Sequence, residues 1–296
     1  MAEEKVVLRK VRDFGENLND TFLFIRQNLK PLLMSFFAIC GVFMLGKAIF
    51  SGIYQSHSFA LLDQFRKPPS MWSNGNMFES LFTPEYFLLI IFSWLSFIAM
   101  RVVLAAYIKY YAENDGAIPS IEQVWPIFRK YFFRVFIYSI PVGLLIGVGT
   151  ICCLAPGVYL AVVFVPFDMI LVVEDLSFGE AFARCFTIIK ENFWISFAIY
   201  LVAGIVYYFS SLIVSLVAGL FIGLATYFTT KSIGTTAGVV TSFLNIFAGA
   251  FYIIFFVSSA LQYFNLVELH DGTGILQRID TIGGEQTKID NTLEEY

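Results

Sequence analysis

Three ionisable side chains interrupt long apolar stretches of this chain: Lys47, Arg101 and Asp168. A charge at the centre of a membrane helix costs about 2.5–3.5 kcal/mol on insertion scales, so each of them must reach water or find a partner. Lys47 and Arg101 have long stems that carry their charge toward an interface. Asp168 has no such stem. It follows Pro166, whose missing N–H loosens the preceding turn, and it precedes the acids Glu174 and Asp175. Three environments would satisfy it: a neutral hydrogen-bonded carboxyl, an ion pair with Arg101 or Arg184, or a polar site for a transported ion or lipid headgroup.

Little else in the chain suggests chemistry. The only histidines are His57 and His270, which the topology below assigns to opposite sides of a membrane. No HExxH, Walker A or GxSxG motif occurs, and no Cys/His cluster has ligand spacing. Asp271-Gly272-Thr273-Gly274 is glycine-rich, but it follows an apolar span and no Lys-Ser/Thr pair comes after it, so it reads as a turn rather than a phosphate loop. An intramembrane enzyme would have to be built on Asp168, Glu174 and Asp175. The expectation is a protein with no enzymatic activity, no metal and no cofactor.

The elements that must position these residues are membrane helices. Of 296 residues, 58% are hydrophobic and 14% charged, far below the roughly 25% charged of soluble domains. Six stretches approach the roughly 20 apolar residues that cross hydrocarbon: 31–53, 85–108, 135–151, 157–173, 193–219 and 243–267. None alternates as a transmembrane strand would. The fold expected is all-α and polytopic, with an amphipathic segment over 1–30, a six-helix domain over 31–268 and a tail over 269–296.

Lysines and arginines near span ends set orientation. With the amino terminus inside, the inner side collects Arg26, Lys30, Lys109, Arg129, Lys130, Arg134, Arg184 and Lys190, while the outer side holds Arg66, Lys67 and Lys231. Both termini are therefore expected in the cytoplasm. The first thirty residues carry charge throughout, unlike a cleavable signal peptide, so the first span should serve as an uncleaved signal. Cys40, Cys152, Cys153 and Cys185 are expected as free thiols.

Before the fifth span, Ser177 and Glu180 have the spacing of a capping box, and Phe178, Phe182, Cys185, Phe186 and Ile189 then recur at helical period. This predicts an interfacial amphipathic helix over 177–190. Ile25-Arg26-Gln27-Asn28-Leu29 and Ile189-Lys190-Glu191-Asn192-Phe193 share a pattern, and Phe128-Arg129-Lys130-Tyr131-Phe132 is a looser third copy. The chain thus admits a three-fold pseudo-repeat of interfacial helix plus hairpin, with ordinary positive-inside anchoring as the alternative. Arg26, Arg129, Arg184 and Lys190 would form a positive collar for anionic lipid headgroups or a protein partner. Between spans, FRKPPSMWSNGNMF reads as an interfacial lid, and TYFTTKSIGTTAGVVTS as a re-entrant piece or a loop.

The passage VPFDMILVVEDLSFGEAFARCFTIIKENFW resembles the signature of a bacterial six-span family related to the membrane domain of some glycerophosphodiester phosphodiesterases, abundant in Bacteroidota. The matching positions are Pro166, Glu174, Ser177, Ala181, Arg184, Lys190 and Trp194. The resemblance implies a bacterial inner-membrane protein, and the catalytic barrel of some relatives has no room in this chain. Two functions follow as expectations. The first is a scaffold or assembly partner that binds membrane lipid, with a membrane or cytoplasmic protein as partner and no nucleic acid. The other is a transporter or lipid-handling protein with its site near Asp168.

Overall fold

The computed structural model describes residues 5–65, 82–229 and 234–272. All regular structure among them is helical, and six segments are long and apolar enough to cross a membrane. In chain order the helices are α1 (Phe14–Phe65), α2 (Pro84–Glu113), α3 (Ile121–Cys152), α4 (Leu154–Val163), α5 (Phe167–Met169), α6 (Phe178–Ile189), α7 (Phe193–Thr229), α8 (Gly234–Ala250) and α9 (Tyr252–Asp271). The segment 66–81, which carries most of the expected lid, lies outside the described residues.

Two of the three expected interfacial helices are not separate elements. α1 runs for 52 residues straight through Pro31, about 78 Å at 1.5 Å per residue and more than twice the roughly 30 Å of hydrocarbon. No glycine, the residue most often found at the left-handed stop that ends many helices, stands between Gly15 and Gly41. Likewise α3 carries Arg129 and Lys130 within one helix that contains Pro126 and Pro141. Only α6 is set apart. Asp175 turns left-handed at φ 54°, a conformation that Asp tolerates better than most residues, and the capping box then starts α6, with Glu180 accepting a hydrogen bond of 2.9 Å from the Ser177 backbone N–H. A short 3₁₀ turn, Lys190–Asn192, joins α6 to α7.

The expected fourth span is broken. α4 ends at Val163, Pro166 cannot continue the ladder, and α5 leads into a π-helical turn over Ile170–Glu174. The hairpin before it is tighter than expected, since Cys153 alone joins α3 to α4. Gly157 makes this possible, because a Cβ there would lie 2.6 Å from the Thr150 Cα. The last span starts earlier than expected. Thr- and Gly-rich residues from Gly234 onward are already helical in α8, and a turn at Phe251 separates α8 from α9.

α2 forms the centre. Its residues Ile98–Met100 and Val102–Ile108 are buried, as expected for a helix apolar on every side. α1 packs chiefly on α2 and α8, and α9 packs on α7 and α1. Both terminal segments meet at one end of the bundle: the Arg12 N–H donates to Asn265 Oδ1 at 2.9 Å, and the Tyr111 hydroxyl donates to the Val6 carbonyl at 3.3 Å. An even number of crossings demands this. With the basic end in the cytoplasm, cysteines introduced at 70–76 should react with an impermeant label on intact cells, and cysteines in the tail beyond Gly272 should not. Labelling of the tail would reverse the orientation.

Candidate functional site

Arg101 and Asp168 face each other across the α2–α5 contact, joined as an ion pair through Nε and Oδ2. Asp168 is 1% exposed, and the guanidinium also lies 5.3 Å from the centre of the Phe97 ring. Of the two ion-pair partners weighed for Asp168, Arg101 is the one present. Arginine stays protonated in any protein setting, so a neutral aspartic acid here would leave an uncompensated cation. Neither carboxylate oxygen accepts a hydrogen bond from a described residue. The carboxylate has its counter-charge and lacks its donors.

Beside the pair lies a cavity of about 320 Å³. Ser139, Ser259 and Tyr252 bring polar atoms to its wall, and Trp94, Phe164 and Phe255 supply apolar surface. A wall that is mostly apolar, with a few convergent polar groups, is the usual make-up of a small-molecule site.

Lys109, two turns farther along α2, reinforces the same junction. Its ammonium donates to the Val172 carbonyl at 2.7 Å, one of the groups that the π-helical turn leaves without an ordinary partner, and pairs with Glu113 at 3.5 Å. α3 clasps the next turn. Lys130 and Arg134 pair with Asp175 at 2.8 and 2.6 Å, and these partners, Lys130 first, hold its carboxyl below the ordinary carboxylate range. A carboxylate whose pKa is lowered by folding stabilises the fold above its ordinary pKa, and that contribution is lost as pH falls through the lowered value. The clasp is therefore intact at neutral pH.

Arg184 is committed to structure. It bridges Glu174 at 3.2 Å and Asp271, while the Tyr263 hydroxyl donates to Glu174 at 2.9 Å. Its guanidinium thus ties the ends of the fourth and sixth spans through α6. Arg26, Arg129 and Lys190 are exposed, and Arg129 and Lys190 form no ion pair with a described residue. Lys47 lies in neither group: it lines a different cavity, of about 350 Å³, between α1, α2, α7 and α8.

A buried polar chain at the terminal end escaped the reading of the sequence. Ser258 donates to Asn17 Oδ1 at 3.2 Å, Gln262 Nε2 to Ser196 at 3.0 Å, and Asn265 Nδ2 to Gln262 Oε1 at 3.1 Å. The signal was present, because Ser258, Gln262 and Asn265 recur at four and three in the last span and so share one helix face. Among the described residues no group of three His, Cys, Asp or Glu side chains is placed to hold a metal.

No protein-family model, curated protein or solved structure matches the chain.

Removing one member of a buried ion pair strands the other, at a cost of about 3–5 kcal/mol, whereas replacing both with apolar residues is close to neutral. Asp168→Leu should therefore be strongly destabilising in reversible unfolding from detergent micelles, and Arg101→Leu/Asp168→Leu should recover most of the loss. Losses that add in the double variant would show that the two residues act independently.

Proposed function

We propose that this chain is a non-enzymatic lipid-handling protein of the bacterial inner membrane that takes the headgroup of an amphiphile into the cavity beside Arg101 and Asp168. The observation that carries this reading is a fully buried carboxylate, paired with a cation yet accepting no hydrogen bond from any described residue, at the wall of a cavity with room for a ligand. A buried acceptor without donors is worth about 1–3 kcal/mol to any ligand that supplies them. An ammonium or hydroxyl headgroup, such as that of phosphatidylethanolamine, fits this need, and its acyl chains would lie among the exposed apolar side chains outside.

The scaffold reading also draws on a specific observation, the exposed Arg26, Arg129 and Lys190 at the basic end. Such residues attract anionic headgroups at about 1 kcal/mol each, and they would serve a cytoplasmic protein partner equally well. Of the four cations that the sequence suggests, Arg184 is bridged to Glu174 and Asp271 and Arg26 is not without a partner, which leaves Arg129 and Lys190. It asks for no cavity, whereas the cavity at Asp168 calls for an occupant.

The two readings part in native mass spectrometry of the purified protein. The Arg101→Leu/Asp168→Leu variant, chosen because it avoids a stranded charge, should retain phosphatidylethanolamine about tenfold less than the wild type, as expected for losing a hydrogen bond to a charged group. Arg129→Gln/Lys190→Gln should retain as much as the wild type. The reverse pattern would move the function to the basic face, and no change in either would overturn the cavity reading.

A further inference from the structure

The cavity around Lys47 has the opposite chemistry to that of Asp168. Four helices each send polar side chains into it at helical spacing: Lys47 and Ser51 from α1, Ser93 and Ser96 from α2, Tyr207 and Ser211 from α7, Ser242 and Asn245 from α8. Residues three or four apart share a helix face, so these pairs converge by design of the sequence rather than by one chance contact. No aspartate or glutamate lines the space. Lys47 forms no ion pair or hydrogen bond with any described residue, nor do the hydroxyls of Ser93, Ser96 and Ser211.

The remaining polar groups are held in place. Gln55 Nε2 donates to Ser51 at 3.0 Å and to Ser242 at 2.9 Å, which fixes two hydroxyls at the α1–α8 contact. The Ser215 hydroxyl donates to Asn245 Oδ1 at 3.2 Å, so the amide nitrogen of Asn245 keeps both its donors. What converges is one cation, an amide N–H₂ and several hydroxyls, without an anion. That set is complementary to an oxyanion.

We propose that this cavity binds an oxyanion, a phosphate or carboxylate, with Lys47 supplying the charge and Asn245 and the serine hydroxyls of α2 and α7 supplying hydrogen bonds. The site stands on residues other than Arg101 and Asp168. The two cavities adjoin at Phe97 and Tyr252, which line both and whose rings lie 5.5 Å apart at 59°. The oxyanion is either free or carried by a lipid headgroup, and both forms meet the same donors.

The test compares wild type, Lys47→Gln and Lys47→Arg. Native mass spectrometry measures retention of phosphatidylglycerol relative to phosphatidylcholine, and thermal unfolding measures the response to inorganic phosphate and to acetate. A lipid-borne oxyanion predicts that Lys47→Gln loses about fivefold in phosphatidylglycerol preference, one basic residue's attraction to an anionic headgroup, while Lys47→Arg keeps it. A free oxyanion predicts stabilisation of wild type and Lys47→Arg by phosphate or acetate that Lys47→Gln lacks. Identical behaviour of wild type and Lys47→Gln in both assays overturns the proposal, as does equal loss in both lysine variants.

Stability without ligand gives a separate reading. Lys47→Gln removes a charge that has no partner among the described residues, so it should unfold at the same temperature as the wild type or higher. Marked destabilisation, or failure to fold, would mean that Lys47 serves the fold and would overturn the site. Ser93→Ala/Ser211→Ala removes two hydroxyls that hold nothing in place, and it should weaken oxyanion binding with stability unchanged. Arg101→Leu/Asp168→Leu should keep the phosphatidylglycerol preference, so failure at one cavity is distinguishable from failure at the other.

Discussion

A charge placed in an apolar bundle has to be met by another charge, and here the meeting of Arg101 with Asp168 organises the helices around it. α2 is apolar on every side and buried through Ile98–Ile108 except at Arg101, so the guanidinium can reach a carboxylate only if a neighbouring helix brings one to it. The fourth span does so by breaking. Pro166 stands in the break between α4 and α5, the short helix that carries Asp168, and a π-helical turn follows over Ile170–Glu174. Lys109 then binds the Val172 carbonyl of that turn. Two cations on one helix thus hold the irregular span in register.

From this junction outward, the charged residues near the membrane surface divide into those that hold helices together and those that remain available. Lys130, Arg134 and Arg184 close the turn between the fourth and fifth spans onto α3 and α9 through Asp175, Glu174 and Asp271. The segment 166–194 is largely this clasp. Pro166 breaks the span, Glu174 and Arg184 pair, Ser177 caps α6, and Ala181 is fully buried. Lys190 and Trp194 of the same segment face outward, Trp194 at 77% exposure.

Six spans, an all-helical architecture and the capped helix before the fifth span were legible because each rests on local pattern: apolar run length, missing alternation, and Ser177 three residues before Glu180. Separation of the first interfacial helix from its span was misjudged, since a change from polar to apolar composition marks where a helix enters lipid and not where it ends. α8 was hidden for a related reason. Thr and Gly lower helix propensity, but packing of α8 along α1 overrides it. Asp168 stood out as a residue in need of a partner, yet only tertiary structure could choose Arg101 over Arg184. The Lys47 cavity was least legible, because its serines are scattered over four helices and each alone is an ordinary small residue in a membrane span.

The junction of α2 with the fourth span depends on Asp168 being an ionised carboxylate beside Arg101. Infrared difference spectroscopy of the wild type against Asp168→Asn, with aspartate carboxyl carbons isotopically labelled, reads that state directly. The account predicts that the difference spectrum at neutral pH loses the stretching bands of an ionised carboxylate. Loss of a protonated carboxyl C=O band in their place would show a neutral aspartic acid, and would contradict the ion pair on which the arrangement of α2 and the fourth span rests.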